Sequence, residues 1–185
     1  MPTVLTHAAV PLALGLGLGP RAVPTRLLVA GAVASALPDL DVIGYRLGVP
    51  YAAALGHRGL THSLAFAVLS GLLAAAAARP LRVGRWTAFL FVAGATASHG
   101  LLDTLTSGGL GVALLWPFTA ERFFAPFRPI RVAPISLGRM LGPQGLAVLA
   151  SEARWVWLPA VALALALRWG RGLRARRTPK LTPPV

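Results

Sequence analysis

Two stretches constrain this chain more than anything else in it. Leu64 to Ala78 and Trp86 to Ser98 carry no charged residue and are apolar on every side. A helix that lies on the core of a water-soluble protein keeps one polar face; a helix apolar all round is buried or sits in lipid. The rest of the chain cannot bury such helices in water. Charged residues make up 12% of the 185 and hydrophobic ones 56%, whereas soluble domains carry about 25% charge. The bilayer is therefore the expected solvent. The fold class expected is an all-α membrane protein, a bundle of about five short transmembrane helices.

The spans are read at Ala8–Gly19, Leu27–Ile43, His62–Ala78, Trp86–Leu105 and Trp155–Trp169. Several fall short of the ~20 residues that cross a bilayer squarely, so tilt or local thinning is expected. Leu110–Trp116 and Leu146–Ala150 are too short to span and read as re-entrant or interfacial. The segment between them holds Pro117, Pro126, Pro129, Pro134 and Pro143, a spacing that forbids a long helix. Residues 1–170 form one domain, and 171–185 read as a basic, Pro-rich, disordered tail. The start lacks the basic n-region of a signal peptide. There is no cysteine, which excludes disulfides and thiolate metal sites.

The net charge is +13, from 18 Lys and Arg against five acids. Nucleic-acid binding is the less favoured reading, because the charges sit in short loops and the tail. Arg21, Arg26, Arg79, Arg82, Arg85 and the cluster from Arg168 to Lys180 fall on one side of a five-span bundle. The positive-inside rule makes that side, and the tail, cytoplasmic.

The ionisable residues left over are not scattered. His7, Asp39, Asp41, His57, His62, His99 and Asp103 all fall at the outer end of the predicted bundle. Intramembrane ionisable residues are costly and usually functional. Imidazole and carboxylate together suit zinc, manganese or iron. His99 and Asp103 stand four apart, on one face of a helix. His57 and His62 are five apart, so His57 belongs to a preceding turn. The metal-ligand set expected is His7, Asp39, His57, His62, His99 and Asp103, holding one or two divalent ions, zinc foremost. A hydrogen-bonded ion-pair network between helices is the competing structural reading, in which Arg58 pairs with Asp39 or Asp103. Glu121 and Glu152 read as loop carboxylates paired with Arg122 and Arg154.

At these residues the chain resembles the YdjM-like family of inner-membrane-associated proteins, whose name carries metal-dependent hydrolysis. The likeness runs from about residue 6 to 160. It is carried by Thr6-His7, Pro38-Asp39-Leu40-Asp41, His57-Arg58-Gly59-Leu60-Thr61-His62-Ser63 and Ser98-His99-Gly100-Leu101-Leu102-Asp103-Thr104-Leu105-Thr106. Trp116-Pro117-Phe118 and Phe124 to Ile130 are similar to one branch of the family. The order of the first ligands is also similar to part of the zinc-dependent phospholipase C pattern, but no histidine follows His99. That argues for one or two ions rather than three.

The function expected is hydrolysis of a lipid or lipid-linked phosphoester by a metal-activated water, whose pKa falls towards ~7. Asp41 is the expected proton acceptor and Arg58 a further catalytic group. Arg122 and Arg128 are expected to hold the substrate anion, and Thr104 and Thr106 to orient ligands from behind. A non-enzymatic metal- or ion-handling protein, or a structural membrane protein, is the alternative.

Overall fold

The computed structural model describes residues 1–134 and 137–177. Nine α-helices follow one another among them: α1 Ala9–Leu18, α2 Thr25–Ala36, α3 Ile43–Arg46, α4 Leu64–Ala76, α5 Ala78–Leu81, α6 Arg85–Thr104, α7 Leu137–Met140, α8 Pro143–Glu152 and α9 Leu158–Arg177. Among the described residues there is no β-strand, only isolated bridges from Thr106 to Ile130 and from Val112 to Phe123.

The helix boundaries follow local chemistry. Ser63 caps α4, its hydroxyl accepting from Phe66 N at 3.1 Å. Pro24 precedes α2, and Pro143 opens α8, where a missing N–H costs nothing. α1 stops at Gly19, whose φ is +80°. Tight turns, Val4–Ala8, Leu37–Val42 and Leu60–His62, join the ends of α1, α2 and α4 to the site described below.

α6 packs against α4 and α2, and α1 packs against α9. The buried apolar side chains are mostly small: Ala34, Ala67, Ala74, Ala88 and Ala95 line these contacts. The large ones face outward. Val29, Leu72, Leu73, Leu90, Leu158 and Leu165 are each more than half exposed. Small residues inside and leucine outside is the packing of helices that meet in lipid, where close backbone approach drives association. In water so much exposed apolar surface would aggregate.

α1, α2, α4, α6 and α9 lie where the five spans were expected. Their lengths differ from the expectation. Among the described residues one helical run, the 33 residues Pro143–Ala175, is long and apolar enough to cross a bilayer. Val4–Leu18 and Leu64–Ala76 are apolar but shorter. Leu146–Ala150, read as interfacial, belongs to that long run through α8 and a π-helical turn at Ala153–Trp157. α9 continues through Arg177, into the stretch expected as a tail; the tail beyond it, 178–185, lies outside the described residues.

The two ends of the bundle are chemically distinct. At one end Arg26 Nη1 donates to Pro80 O at 3.0 Å, and the Arg171 guanidinium lies against Gly19. The basic loops and the end of α9 therefore meet. Arg85 starts α6 at this end and Asp103 closes it at the other, ~27 Å away at 1.5 Å per residue.

Candidate metal centre

The far end collects ligand residues from four helix termini. His7 comes from the turn before α1, Asp39 and Asp41 from the turn after α2, His57 and Arg58 from the following loop, His62 from the turn before α4, and His99 and Asp103 from the last turns of α6. Their approach depends on Gly100, where a Cβ would strike the carbonyl oxygen of His62. His7, His99, Asp103 and Arg58 are fully buried, and Asp39, His57 and His62 are at most 5% exposed.

Donor atoms of His7, His99 and Asp103 lie within 4.8 Å of one another, as do those of Asp39, His57 and His62. The two triads are interlocked by the carboxylates. Asp39 Oδ1 is 3.5 Å from His99 Nε2 and 3.8 Å from His62 Nε2, while Asp39 Oδ2 is 3.7 Å from His7 Nε2. Asp103 Oδ2 is 3.4 Å from His62 Nε2, and Asp103 Oδ1 is 3.8 Å from His7 Nε2. These are poor hydrogen bonds. They match the ~3.4 Å edge of a tetrahedron of ligands placed ~2.1 Å from a central ion.

Hydrogen bonding behind the ligands fixes which nitrogen faces inward. His99 Nδ1 donates to the carbonyl of Ser35 at 2.7 Å, leaving Nε2 with its lone pair. Asp41 does the same for two histidines. It accepts from His57 Nδ1 at 2.6 Å and from His62 Nδ1 at 3.2 Å, and also from Arg58 N and the Thr61 hydroxyl. Because the Thr61 proton goes to Asp41, its oxygen also takes His62 Nδ1 as donor, at 3.1 Å. The inward nitrogens of His62 and His99 are then both lone pairs, and they stand 3.0 Å apart. Either a proton carried by one ring or a metal ion held by both satisfies such a contact.

The remaining atoms point the same way. Both nitrogens of His7 and both oxygens of Asp39 and of Asp103 are buried without a hydrogen-bond partner, a state that costs about 1–3 kcal/mol per polar group and more for a charge. His7 stacks on His99 with ring centroids 3.5 Å apart. Three carboxylates face one guanidinium among the cluster's side chains, so two negative charges are left over when the imidazoles are neutral. The donor set and the charge both fit a divalent cation.

Arg58 sits in the left-handed region, at φ +63°. Its Nε lies 3.0 Å from Asp103 Oδ2, Nη1 donates to Gly108 O at 2.9 Å, and Nη2 donates to Thr106 Oγ1 at 2.8 Å. Thr106 in turn donates to Asp103 O at 2.7 Å. Thr104 points elsewhere, donating back to Leu101 O at 2.7 Å. Arg122 is bound up in the loop, donating to His57 O at 3.1 Å and Tyr51 O at 3.2 Å. Arg128 stacks over Phe124 and lines a separate cavity of about 470 Å³ with Ser107, Arg131 and Gln144.

Three features escaped sequence reasoning. Thr61 buttresses Asp41, and a Thr precedes both His7 and His62, a repeated pair that could have drawn notice. The Ser35 carbonyl is a backbone group with no signature. Glu152, expected to pair with Arg154, instead accepts from Thr3 N at 2.5 Å and from the hydroxyls of Thr3 and Thr6 at 2.8 and 2.7 Å.

Residues 1–175 match the family described as YdjM inner membrane protein. The chain belongs to that family. It is 50% identical over 172 residues to Inner membrane protein YbcI of Escherichia coli strain K12, covering 92% of this chain and 99% of that protein. No solved structure matches it. Family membership and the outward-facing leucines agree on an inner-membrane protein, and its buried His and Asp groups could hold a metal ion.

Proposed function

We propose that this protein is a membrane-embedded metal-dependent hydrolase with a centre for two divalent ions, zinc the best suited. The observation that carries the reading is the pair of carboxylates, Asp39 and Asp103, each turning one oxygen to each side of the His cluster. A closed structural zinc site needs four ligands. Here six candidate ligands converge in two groups of three, and His7, His99 and Asp103 with Asp39, His57 and His62 would hold the ions.

When bound, such ions lower the pKa of a water towards ~7 and neutralise charge on an ester oxygen. The chain supplies the rest. His7, His57, His62 and His99 would turn a ring nitrogen to a bound ion, Asp41 accepts from the far nitrogen of two of them, and Arg58 holds Asp103 in place. Asp41 has both oxygens engaged, so it serves as an orienting group for His57 and His62. In hydrolysis of a phosphoester the water oxygen bonds to phosphorus, the ester P–O bond breaks, and the alcohol leaves with a proton. Arg128 and Arg131 offer a cationic wall for the anionic end of a substrate. A membrane location favours a lipid or lipid-linked phosphoester. The five helices form the spanning bundle, with basic loops cytoplasmic and the centre towards the outer face.

Elemental analysis of the detergent-purified protein beside its His99→Ala variant tests the reading. Near-stoichiometric zinc, manganese or iron that disappears in the variant is expected, together with metal-dependent cleavage of a lipid phosphoester. A wild-type protein that takes up none of these ions overturns it.

A further inference from the structure

A buried centre needs a way in, and one cavity reaches it. A space of about 320 Å³ has the Asp39 side chain in its wall. Its other walls are apolar for the most part: Pro2, Val4, Val42, Pro134 and Met140. Asp39 is 5% exposed and its oxygens are buried without hydrogen-bond partners, so the chamber ends at the residue that carries one of the cluster's carboxylates. The chain neighbours of these walls are apolar and turned outward. Leu5 is 80% exposed, Leu141 81%, and Leu40 and Ile43 over half. The chamber is therefore continuous in chemistry with the lipid-facing surface.

We propose that this chamber is the subsite for the hydrocarbon chain of a membrane lipid, seated so that the phosphoester beyond the head of the chain lies towards Asp39. The inference rests on the hydrolase reading and adds to it the seat of the substrate's hydrocarbon chain and its route of entry. The fit is one of size and polarity together. At ~30 Å³ per water-sized group the space holds about ten such groups. That suits the upper part of one chain rather than a whole two-chain lipid. No Arg or Lys lines the chamber among the described residues, Met1 alone bringing an amino group to it, so the anionic end is better served elsewhere. That end has Arg128 and Arg131 at the other cavity. An amphiphile whose chain and head diverge at the ester matches both.

The test uses the full chain in nanodiscs containing a phosphatidic acid whose acyl chain carries a diazirine near the ester. After irradiation, labelled positions are mapped by mass spectrometry. Labelling of Val42, Pro134 or Met140 is expected, with loss of that label in Val42→Trp, which fills the chamber, and in Met140→Trp, which fills it from another wall. Metal content stays at the wild-type level in a folded variant. Label confined to the outer faces of α6 and α9, or label at Val42 and Met140 that persists when the opposite wall carries Trp, overturns the proposal. Metal analysis of the same samples separates the two readings. Metal without chamber labelling sinks the lipid subsite alone, and chamber labelling without metal sinks the hydrolase while leaving a lipid site.

Discussion

Asp41 shows how much of the centre depends on residues that touch no ion. One oxygen takes His57 Nδ1 and the other takes Arg58 N, the Thr61 hydroxyl and His62 Nδ1. In Asp41→Asn the amide oxygen would turn to the side with three donors, and its NH₂ would face His57. His57 must then place its proton on Nε2 and is lost as a ligand. Metal affinity is expected to fall about 10–100-fold, measured by competition with a chromophoric chelator; unchanged affinity would refute the orienting role. Arg58 is a second case. Its guanidinium is fully buried and pairs with Asp103. Arg58→Met leaves that carboxylate alone, at an expected cost of about 3–5 kcal/mol in apo-protein stability. Thermal unfolding in detergent with and without zinc reads the effect, and added zinc should recover part of it by supplying the missing positive charge.

The elements were legible in the sequence to the extent that their signals are local. Apolar runs located α1, α2, α4, α6 and α9, and the i, i+4 spacing put His99 and Asp103 on one face of α6, as observed. His57 on a separate turn followed from the same short-range chemistry. The role of Glu152 did not, because its partners are about 150 positions away and nothing near it in the chain announces them. That contact matters for the centre. Glu152 on α8 clamps Thr3 and Thr6, Trp157 Nε1 donates to Thr6 Oγ1 at 3.0 Å, and His7 is the next residue. Glu152→Ala leaves three buried or half-buried donors unmet and is expected to destabilise the fold by about 2–4 kcal/mol. It should also free His7, so that metal stoichiometry drops while His62 and His99 keep theirs. Two ions retained at full occupancy in a folded Glu152→Ala protein would mean that the clamp does not position His7.

For the whole molecule, composition revealed the solvent and charge suggested the orientation, but neither could set helix length. α1, α2 and α4 have 10, 12 and 13 residues, or ~15–20 Å each, against a hydrocarbon core of ~30 Å. Their termini are used up in the turns that deliver His7, Asp39 and His62, so the candidate ligands sit at helix ends, which in a five-span bundle would lie below the membrane surface. This arrangement is directional. If the basic loops are cytoplasmic, Arg46, after the Asp39–Asp41 turn, lies outside, and Arg79, between α4 and α6, lies inside. Both side chains are exposed, and the protein has no cysteine of its own. Arg46→Cys in intact cells should react with a membrane-impermeant maleimide, and Arg79→Cys only after the membrane is opened. The reverse pattern would place the centre at the cytoplasmic face, where its substrate would be a lipid of the inner leaflet. Equal labelling of both positions in intact cells would mean that the helices do not separate the two ends, and the five-span bundle would fall with it.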